Sequence, residues 1–287
     1  MRIPIFTDEV ATQAGWHSTQ LVTAFAARDV EAVFVSLKDC VIDLSQAKPI
    51  IQIPNFDNLP NVAFVRSIAG GTLQQITNRL NVLHMLKAKG VIVYNDGRAI
   101  ERTVDKAITS FLLHKNGIAT PQTWVCESRQ QAYEIIQNNP QLVIKPLFGS
   151  QGQGVRLADK AILPLPMDKF VDGVFYLQAF IYAPHDYRVF VVNNQVVAAM
   201  QRNSDGWLHN VAQGAKCERT EDNDVLAIAL QAASVLDIAY CGVDIIRDKN
   251  DKLFVLEVNS IPAWRGLQSV ISTSIAQVLV DDFLAKI

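Results

Sequence analysis

The pattern of apolar and polar positions predicts strands and helices that alternate through the first third of the chain. Residues 2–6 and 32–37 are short apolar runs of the kind that form buried strands, and residues 18–27 between them repeat apolar positions with a helical period. Two further strand-like runs and one helix follow, at 61–65, 91–94 and 73–89. Because strands that alternate with helices form parallel sheets, we expect a parallel α/β domain over residues 1–95.

The rest of the chain predicts a different mixture of elements. A helix over 105–116 has Gly117 in the position of a C-cap, and Pro121 beyond it acts as a stop. Further helices are predicted at 128–138, at 222–236 and from 267 onward, with an apolar strand at 141–147. The fold class we expect is α/β in three parts: the N-terminal domain, a small central lobe over 96–175 and a C-terminal α+β lobe over 176–287.

Two acids and an amide lie on a predicted hairpin near the C-terminus. Apolar runs within 242–259 flank a polar stretch, which favours an antiparallel hairpin. An even-numbered loop centred on 250–251 would place Asp244 directly opposite Glu257. Asn259 would then lie on the same side of the sheet. Opposed carboxylates repel unless a cation lies between them, and an all-oxygen set suits Mg²⁺ or Mn²⁺. A solvated hairpin face is the alternative interpretation.

A lysine stands within an apolar strand just before a glycine-rich loop. Lys145 is the one cation of the run 141–147, and the loop 149–154 follows with the sequence GSQGQG. Burying an unpaired ammonium costs several kcal/mol, roughly, so Lys145 implies an anionic partner. Glycines let backbone N–H groups approach a phosphate, but a glycine-rich turn without a ligand has the same composition. The order of residues excludes a Walker A loop and a dinucleotide fingerprint.

A second polar hairpin is predicted at 188–202, with its turn at the asparagines 193–194. Only an odd-numbered loop would place Arg188 and Arg202 on one face of this hairpin. Asp186 precedes Arg188 by two residues and shares its side of the strand. A reactive pair of arginines and simple ion pairs with neighbouring residues are both consistent with this pattern.

Composition and charge limit the kinds of molecule that the protein is expected to bind. The chain has 287 residues, a net charge of -2 and a pI near 6.2, so neither nucleic acid nor an anionic membrane is an expected partner. No apolar run reaches spanning length and the N-terminus lacks the pattern of a signal peptide, which favours the cytoplasm. The four cysteines have no paired spacing, which indicates reduced thiols.

Taken in this order, the motifs resemble the ATP-grasp superfamily and, within it, the RimK-like carboxylate-amine (α-L-glutamate) ligases. The resemblance covers nearly the whole chain. It implies an ATP-grasp fold preceded by a pre-ATP-grasp domain. Its specific parts are V-D-K at 104–106, V-I-K-P at 143–146 with the glycine loop, H-D-Y-R at 185–188, M-Q-R at 200–202, and Asp244, Glu257 and Asn259.

The resemblance implies that ATP binds between the central and C-terminal lobes. Lys106 and Lys145 match the pair that contacts the phosphates, and Asp186 matches a position that holds ribose. The other implied ATP-binding residues are Gly149, Ser150, Gly152 and Gly154 of the loop, Gln178, Ala179, Phe180 and Ile181 of the hinge, and Asn210.

The resemblance also assigns chemistry to particular side chains. Arg202, Lys145 and Arg188 match catalytic positions, with Arg188 also near the acyl group. The implied metal ligands for Mg²⁺ or Mn²⁺ are Asp244, Glu257 and Asn259.

One candidate substrate contact and two differences from the pattern of the family remain to be named. Arg66, at the end of a strand, is a candidate for a substrate-carboxylate contact, with a structural ion pair as an equal alternative. The hinge position that often holds Glu is Ala179, and a position that holds Arg in relatives is Leu208. These departures weaken the transfer of ribose and acceptor contacts.

The implied activity is ATP-dependent amide ligation through an acyl phosphate, adding glutamate or a similar amino acid to a carboxylate of a small molecule or peptide. The segments 15–17 and 99–106 are most similar to RimK-like proteins of methylotrophic bacteria, which are associated with tetrahydromethanopterin synthesis. An ATP-binding module without ligase activity, toward which Leu208 leans, and a phosphotransferase are the alternatives. We expect a small carboxylate and an amino-acid amine as partners, and assembly as a homo-oligomer.

Overall fold

The computed structural model describes residues 1–8, 15–149, 154–158, 173–204, 206–209 and 214–287. Three predicted ATP-binding residues, Ser150, Gly152 and Asn210, lie outside the described residues. Within those residues no helix is long and apolar enough to cross a membrane.

The strands of the described residues are numbered here in chain order. They are β1 (Arg2–Thr7), β2 (Glu31–Ser36), β3 (Val41–Asp43), β4 (Ile50–Gln52), β5 (Val62–Val65), β6 (Ile92–Tyr94), β7 (Thr123–Cys126), β8 (Leu142–Lys145), β9 (Arg156–Ala158), β10 (Phe175–Ala179), β11 (His185–Val192), β12 (Gln195–Asn203), β13 (Lys216–Arg219), β14 (Tyr240–Arg247) and β15 (Leu253–Asn259). The helices are α1 (Trp16–Ala26), α2 (Leu73–Ala88), α3 (Gly97–Val104), α4 (Lys106–Lys115), α5 (Arg129–Asn138), α6 (Asn223–Leu236), α7 (Arg265–Gln268) and α8 (Ile275–Leu284).

Helix ends follow local sequence signals, with one correction. Asp105, Ser128 and Asp222 accept hydrogen bonds from backbone N–H groups in the first turns of α4, α5 and α6, which is where those helices were predicted to begin. The single helix predicted from residue 267 onward is wrong. The chain instead forms the short α7 and then α8, which has Ser274 as its own N-cap.

The N-terminal sheet is parallel, as predicted. Its strand order is β2-β1-β5-β6, and each pairing in it is parallel. α2 begins with a capping box in which Thr72 and Gln75 each bond the other's backbone N–H. This sheet therefore has the expected α/β form.

Two larger antiparallel sheets follow in the chain, and β3 and β4 form a separate two-stranded one. One has the order β7-β10-β8-β9 and packs against α5 through an apolar cluster that includes Ile136 and Leu177. The other has the order β13-β12-β11-β14-β15 and packs against α6 and α4 on one side. The three-part division at residues 95 and 175 stays a prediction.

The hairpin β14–β15 has the predicted pairing of its strands but not the predicted loop length. Asp244 lies opposite Glu257, as predicted. The predicted even-numbered loop is wrong, because the strands are joined by the odd-numbered segment 248–252. A β-bulge at Leu256 shifts the register by one residue and restores the opposed carboxylates.

In the hairpin β11–β12 a bulge also offsets the length of the loop, but here the loop is even-numbered. Its turn is the two-residue segment 193–194, with φ of 48° and 57°, so the predicted need for an odd-numbered loop is wrong. A bulge at Val197 shifts the register instead. Arg202 therefore lies opposite Asp186, on the same face as Arg188.

Candidate active site

One face of the five-stranded sheet collects the charged side chains predicted from the sequence. Arg188 on β11, Asp244 on β14 and Glu257 on β15 lie opposite one another in a row across three strands. Asp186 and Arg202 form the next pair along the same face. Because side chains of directly opposed residues point to the same side, the register alone brings these groups together.

Asp186, Arg202, Asp244 and Arg188 form a connected ion-pair network. Arg202 donates to both oxygens of Asp186, through Nε at 2.6 Å and Nη2 at 2.6 Å, and its Nη2 also donates to Asp244 Oδ1 at 3.0 Å. Arg188 donates to both oxygens of Asp244, with Nη2 2.7 Å from Oδ2. Bidentate pairs of this kind fix the planes of both guanidinium groups.

Burial and charge act against each other within this network. Burial raises the pKa of Asp186 to about 6, although Arg202 opposes the rise. Burial would also raise the pKa of Asp244, but Arg188 and Arg202 outweigh it and hold that pKa below its ordinary value. The carboxylates raise the pKa of Arg202 despite its own burial, so its guanidinium stays charged.

Lys145 is held at the edge of this face by a hydrogen-bonded glutamine. Its Nζ donates to Gln178 Oε1 at 2.6 Å, and Gln178 Nε2 in turn donates to Thr123 Oγ1 and Tyr176 Oη at 3.1 Å each. Burial lowers the pKa of Lys145 to about 8, against the opposing charge of Glu257. Gln178 therefore positions an ammonium group whose charge is only partly compensated by its neighbours.

Lys106 reaches the start of the glycine loop from the first turn of α4. Its Nζ donates to Gly149 O at 3.1 Å and to Leu147 O at 3.4 Å. At the described end of the loop, Gly154 has φ of +74°, and a Cβ there would lie 2.8 Å from Pro146 Cγ. Both the backbone angle and the close approach require glycine at this position.

A cavity brings most of the predicted ATP-binding residues together. It is lined by both predicted lysines, the hinge 178–181, Asp186, Arg202 and the two predicted metal carboxylates. Sequence reasoning missed further lining side chains, among them Trp207, His209, Ile246 and Leu256, and treated Leu208 only as a departure. Phe180 and Trp207 meet edge to face with ring centroids 5.9 Å apart. For Trp207 and His209 the sequence did contain a signal, namely an aromatic residue next to glycine in the G-W-L-H segment at 206–209.

The predicted metal ligands differ in whether their side chains already form hydrogen bonds with described residues. Asp244 accepts from both arginines, whereas the side chains of Glu257 and Asn259 have no hydrogen-bond partner among the described residues. No group of three or more His, Cys, Asp or Glu side chains in the described segments is placed to hold a metal. Oxygen ligands from two carboxylates and an amide suit Mg²⁺, which usually keeps waters or phosphate oxygens as its other ligands.

Arg66 does not line this cavity. Its guanidinium carbon lies 5.0 Å from the centroid of the Trp264 ring, and burial lowers the pKa of Arg66. It forms no ion pair with any residue that the structure describes, so the alternative of a structural ion pair finds no partner in that part of the chain.

Comparison with known proteins places this arrangement in a family. The RimK-like ATP-grasp domain model matches residues 103–283. The tetrahydromethanopterin:alpha-L-glutamate ligase of Methanococcus maripaludis is 33% identical over 99% of this chain and 98% of its own length. An alpha-L-glutamate ligase described as probable, from Hahella chejuensis, is 30% identical over 93% of this chain and 90% of its own.

Solved structures share the fold. The RimK domain ATP-grasp protein of Sphaerobacter thermophilus has a TM-score of 0.76 at 20% identity and covers 99% of this chain and 100% of its own. At such identity the likeness concerns the fold. With the family model matched over more than half of the chain and a full-length relative at 33% identity, this protein belongs to the RimK-like ATP-grasp family of ATP-dependent carboxylate-amine ligases.

Proposed function

We propose that this protein uses ATP to join the amine of L-glutamate to a carboxylate of a reduced pterin of the tetrahydromethanopterin type. The observation that carries the proposal is one cavity in which Lys106 and Lys145 face the carboxylates of Asp244 and Glu257. Cations for phosphates and oxygen ligands for a divalent metal are the groups that phosphoryl transfer requires. The glutamate and pterin assignments draw on the name of the 33% identical relative.

ATP would lie along the cavity from the hinge to the lysines. The backbone of 179–181 would contact adenine, beside Phe180 and Trp207, and Leu208 would supply an apolar wall. Lys106 and Lys145 would contact the phosphates. Asp186 already accepts two bonds from Arg202, so it would offer a ribose hydroxyl only its remaining lone pairs.

Glu257 and Asn259 would hold Mg²⁺ through oxygens that make no other bond within the described residues, and Asp244 would share its charge between the metal and the arginines. When bound, the metal neutralises charge on the phosphate oxygens. All the donors are oxygens and the phosphates supply further ones, a set that suits Mg²⁺ or Mn²⁺.

The reaction would proceed in two balanced steps. A carboxylate oxygen of the pterin substrate attacks the γ-phosphorus of ATP, the bond to ADP breaks, and an acyl phosphate forms. The amine of glutamate, after losing a proton, then attacks the acyl carbon, and phosphate leaves with the bonding electrons. Arg202 and Arg188, fixed by their carboxylate partners, would stabilise charge on the transferred phosphoryl and acyl oxygens.

The test measures ADP release with Mg²⁺ over a panel of amino acids, with and without reduced pterin acids. We expect ADP only when L-glutamate and one pterin acid are both present. Hydroxylamine should trap a hydroxamate when it replaces the amino acid, because only an activated carboxylate reacts with it.

Glu257→Gln supplies the matched variant for this experiment. It removes a charge from the cavity, and we expect a roughly 100-fold lower rate with a higher KM for Mg²⁺. Glu218→Gln, on the exposed part of β13, should behave as wild type. ATP binding without ADP or hydroxamate on any pair would contradict the proposal and favour a binding module.

A further inference from the structure

Two buried nitrogen donors beside the N-terminal sheet lack a hydrogen-bond partner among the residues that the structure describes. They are Arg66 Nε and Trp264 Nε1. Their side chains are in contact, since the Arg66 guanidinium carbon lies 5.0 Å from the Trp264 ring centroid. Buried donors in native proteins are nearly always paired, so two adjacent unpaired donors point to an acceptor that the described residues do not supply. We call these two residues and their surroundings the Arg66–Trp264 pocket.

The pocket carries positive charge that no ion pair among the described residues neutralises. Neither Arg66 nor the exposed Arg265 forms an ion pair there. The rings of His17 and Trp264 meet edge to face with centroids 4.5 Å apart, and His17 Nε2 accepts a hydrogen bond from the backbone N–H of Trp264 at 3.1 Å. Burial and the two arginines lower the pKa of His17 to about 4, so the imidazole is neutral near pH 7. The acid that acts on Arg66 most directly is Asp8, at the end of β1.

The position of the pocket in the sheet is the usual place for a ligand. In the order β2-β1-β5-β6, the chain leaves β1 toward one edge and returns past it to β5, so the connections diverge between β1 and β5. Ligands of open parallel sheets bind at the carboxyl ends of strands at such a point. Arg66 is the first residue after β5, and its backbone N–H is fixed to Phe6 O at 2.7 Å.

The pocket also adjoins the reacting groups. Trp264 follows the proposed metal ligand Asn259 by five residues. A Cβ on Gly242 would lie 2.9 Å from both Arg188 Nη1 and Pro262 Cβ, so the segment that leads to Trp264 passes directly beside Arg188. A substrate held near Arg188 would therefore have a second polar group within reach of Arg66.

We propose that Arg66 and Trp264 bind a substrate carboxylate that is not consumed in the reaction, so that the enzyme selects a dicarboxylate over its amide. A planar guanidinium matches a carboxylate with two hydrogen bonds, and the indole N–H adds a third donor. The inference rests on the proposed function, because it takes the pocket to serve the ligation substrates. The carboxylate belongs either to the amine substrate, glutamate, or to the acid substrate, and the experiment separates the two.

The first test observes the indole N–H directly and needs no turnover. Protein with ¹⁵N-labelled tryptophan, Mg²⁺ and a non-hydrolysable ATP analogue is titrated with L-glutamate, L-glutamine, glutarate and the mono-amide of glutarate. The Trp264 signal is identified by its loss in Trp264→Phe. We expect a saturable shift with a dicarboxylate at a concentration at least tenfold lower than with its amide. A response to glutamate alone assigns the amine substrate, and an equal or stronger response to glutarate assigns the acid substrate.

Variants give this titration its controls. Arg66→Gln should weaken the dicarboxylate response by about 10- to 100-fold, as expected for losing a hydrogen-bonded charge. Arg98→Gln removes an exposed arginine that pairs with Glu101 and should leave the response unchanged. No saturable shift with any dicarboxylate, or equal responses to acid and amide, would overturn the proposal.

Turnover separates this inference from the proposed function. If wild type ligates glutamate but Arg66→Gln and Trp264→Phe keep both its KM and its preference for glutamate over glutamine, the pocket proposal fails while the function stands. If no pair is turned over but the Trp264 signal responds selectively to a dicarboxylate, the proposed reaction fails and the pocket stands. Retention of kcat with a raised KM in Arg66→Gln is the expected result.

Discussion

At the scale of single residues, Lys145 shows how a buried cation is kept ready for an anion. Gln178 and the charge of Glu257 stabilise its ammonium group, while burial lowers its pKa to about 8. Near pH 7 the group is therefore mostly protonated, and no described residue forms an ion pair with it. A bound phosphate would supply the missing negative charge and raise that pKa again.

This environment predicts a pH dependence of ATP binding. Because the pKa of Lys145 is lowered, the free enzyme loses this charge as pH rises through about 8, and the Kd for ATP should rise above that pH. Lys145→Arg stays charged and should show no such bend, whereas Lys145→Met should bind ATP about 10- to 100-fold more weakly at pH 7. Calorimetric titrations from pH 6.5 to 9.5 measure this. The same bend in Lys145→Arg would rule out Lys145 as its source.

The buried ion pair of Asp186 and Arg202 predicts a stability effect. Asp186→Asn removes the charge and one of the two acceptor oxygens of a bidentate pair and places an NH2 group against Arg202, so we expect a loss of about 2–3 kcal/mol in the free energy of unfolding. Asp251→Asn, at the 82% exposed partner of Arg247, should change it by less than about 0.5 kcal/mol. Urea denaturation compares the two. Equal effects would mean that burial of the pair does not matter.

At the scale of elements, two hairpins set the site by combining a turn with a bulge. The bulge at Leu256 compensates for an odd-numbered loop, and the bulge at Val197 compensates for an even-numbered one. A one-residue shift in either strand would move its polar side chains to the opposite face of the sheet. The bulge at Val197 therefore decides whether Arg188 and Arg202 share a face, and the bulge at Leu256 decides whether Asp244 and Glu257 are opposed.

The turn of the hairpin β11–β12 predicts a stabilising substitution. Asn194 has φ of 57°, so Asn194→Gly should raise the free energy of unfolding by about 0.5 kcal/mol, or the Tm by about 1–2 °C. The same change at the exposed Asn61, whose φ lies outside the left-handed region, should lower stability. Scanning calorimetry of both variants provides the comparison. A lower Tm for Asn194→Gly would contradict the effect of backbone angle.

At the scale of the whole molecule, the N-terminal sheet and the C-terminal sheet share one apolar core. Phe64 of β5 packs with Tyr240 of β14 and Phe283 of α8, at ring-centroid distances of 5.7 and 5.6 Å. Asn95 joins the same parts with its side chain, which bonds the backbones of Tyr240 and Ser260. The Arg66–Trp264 pocket is thereby fixed relative to the reacting groups.

Asn95 predicts a large effect on the stability of the whole chain. Asn95→Ala leaves the buried amide and carbonyl of Tyr240 and the carbonyl of Ser260 without partners, and should cost about 3–5 kcal/mol, or about 10 °C in Tm. Asn78→Ala, on the exposed face of α2, should stay within about 0.5 kcal/mol of wild type. Thermal unfolding followed by circular dichroism tests this. A small loss for Asn95→Ala would show that these bonds are replaced by water.

Local signals made much of the fold and part of the site predictable. Caps such as Asp105 and Ser128 mark helix starts within the sequence, because the hydrogen bonds that they make span only two or three residues. Lys145 was recognisable because a charge in an apolar strand needs a partner wherever the strand lies. Trp207 and Trp264 were missed, since an aromatic residue in a loop has no periodic signature that separates a ligand site from a core.

The sequence by itself determined the larger helices before residue 267, the parallel N-terminal sheet and the chemistry of the residues on the site strands, since these depend on composition and on periods of a few residues. The tertiary structure alone decided the registers, through bulges that no alternation of residue types encodes. It also decided the meeting of Arg66 with Trp264, which are 198 positions apart in the chain. Such contacts depend on how complete sheets pack together, and that packing sums many weak apolar interactions spread over the whole chain.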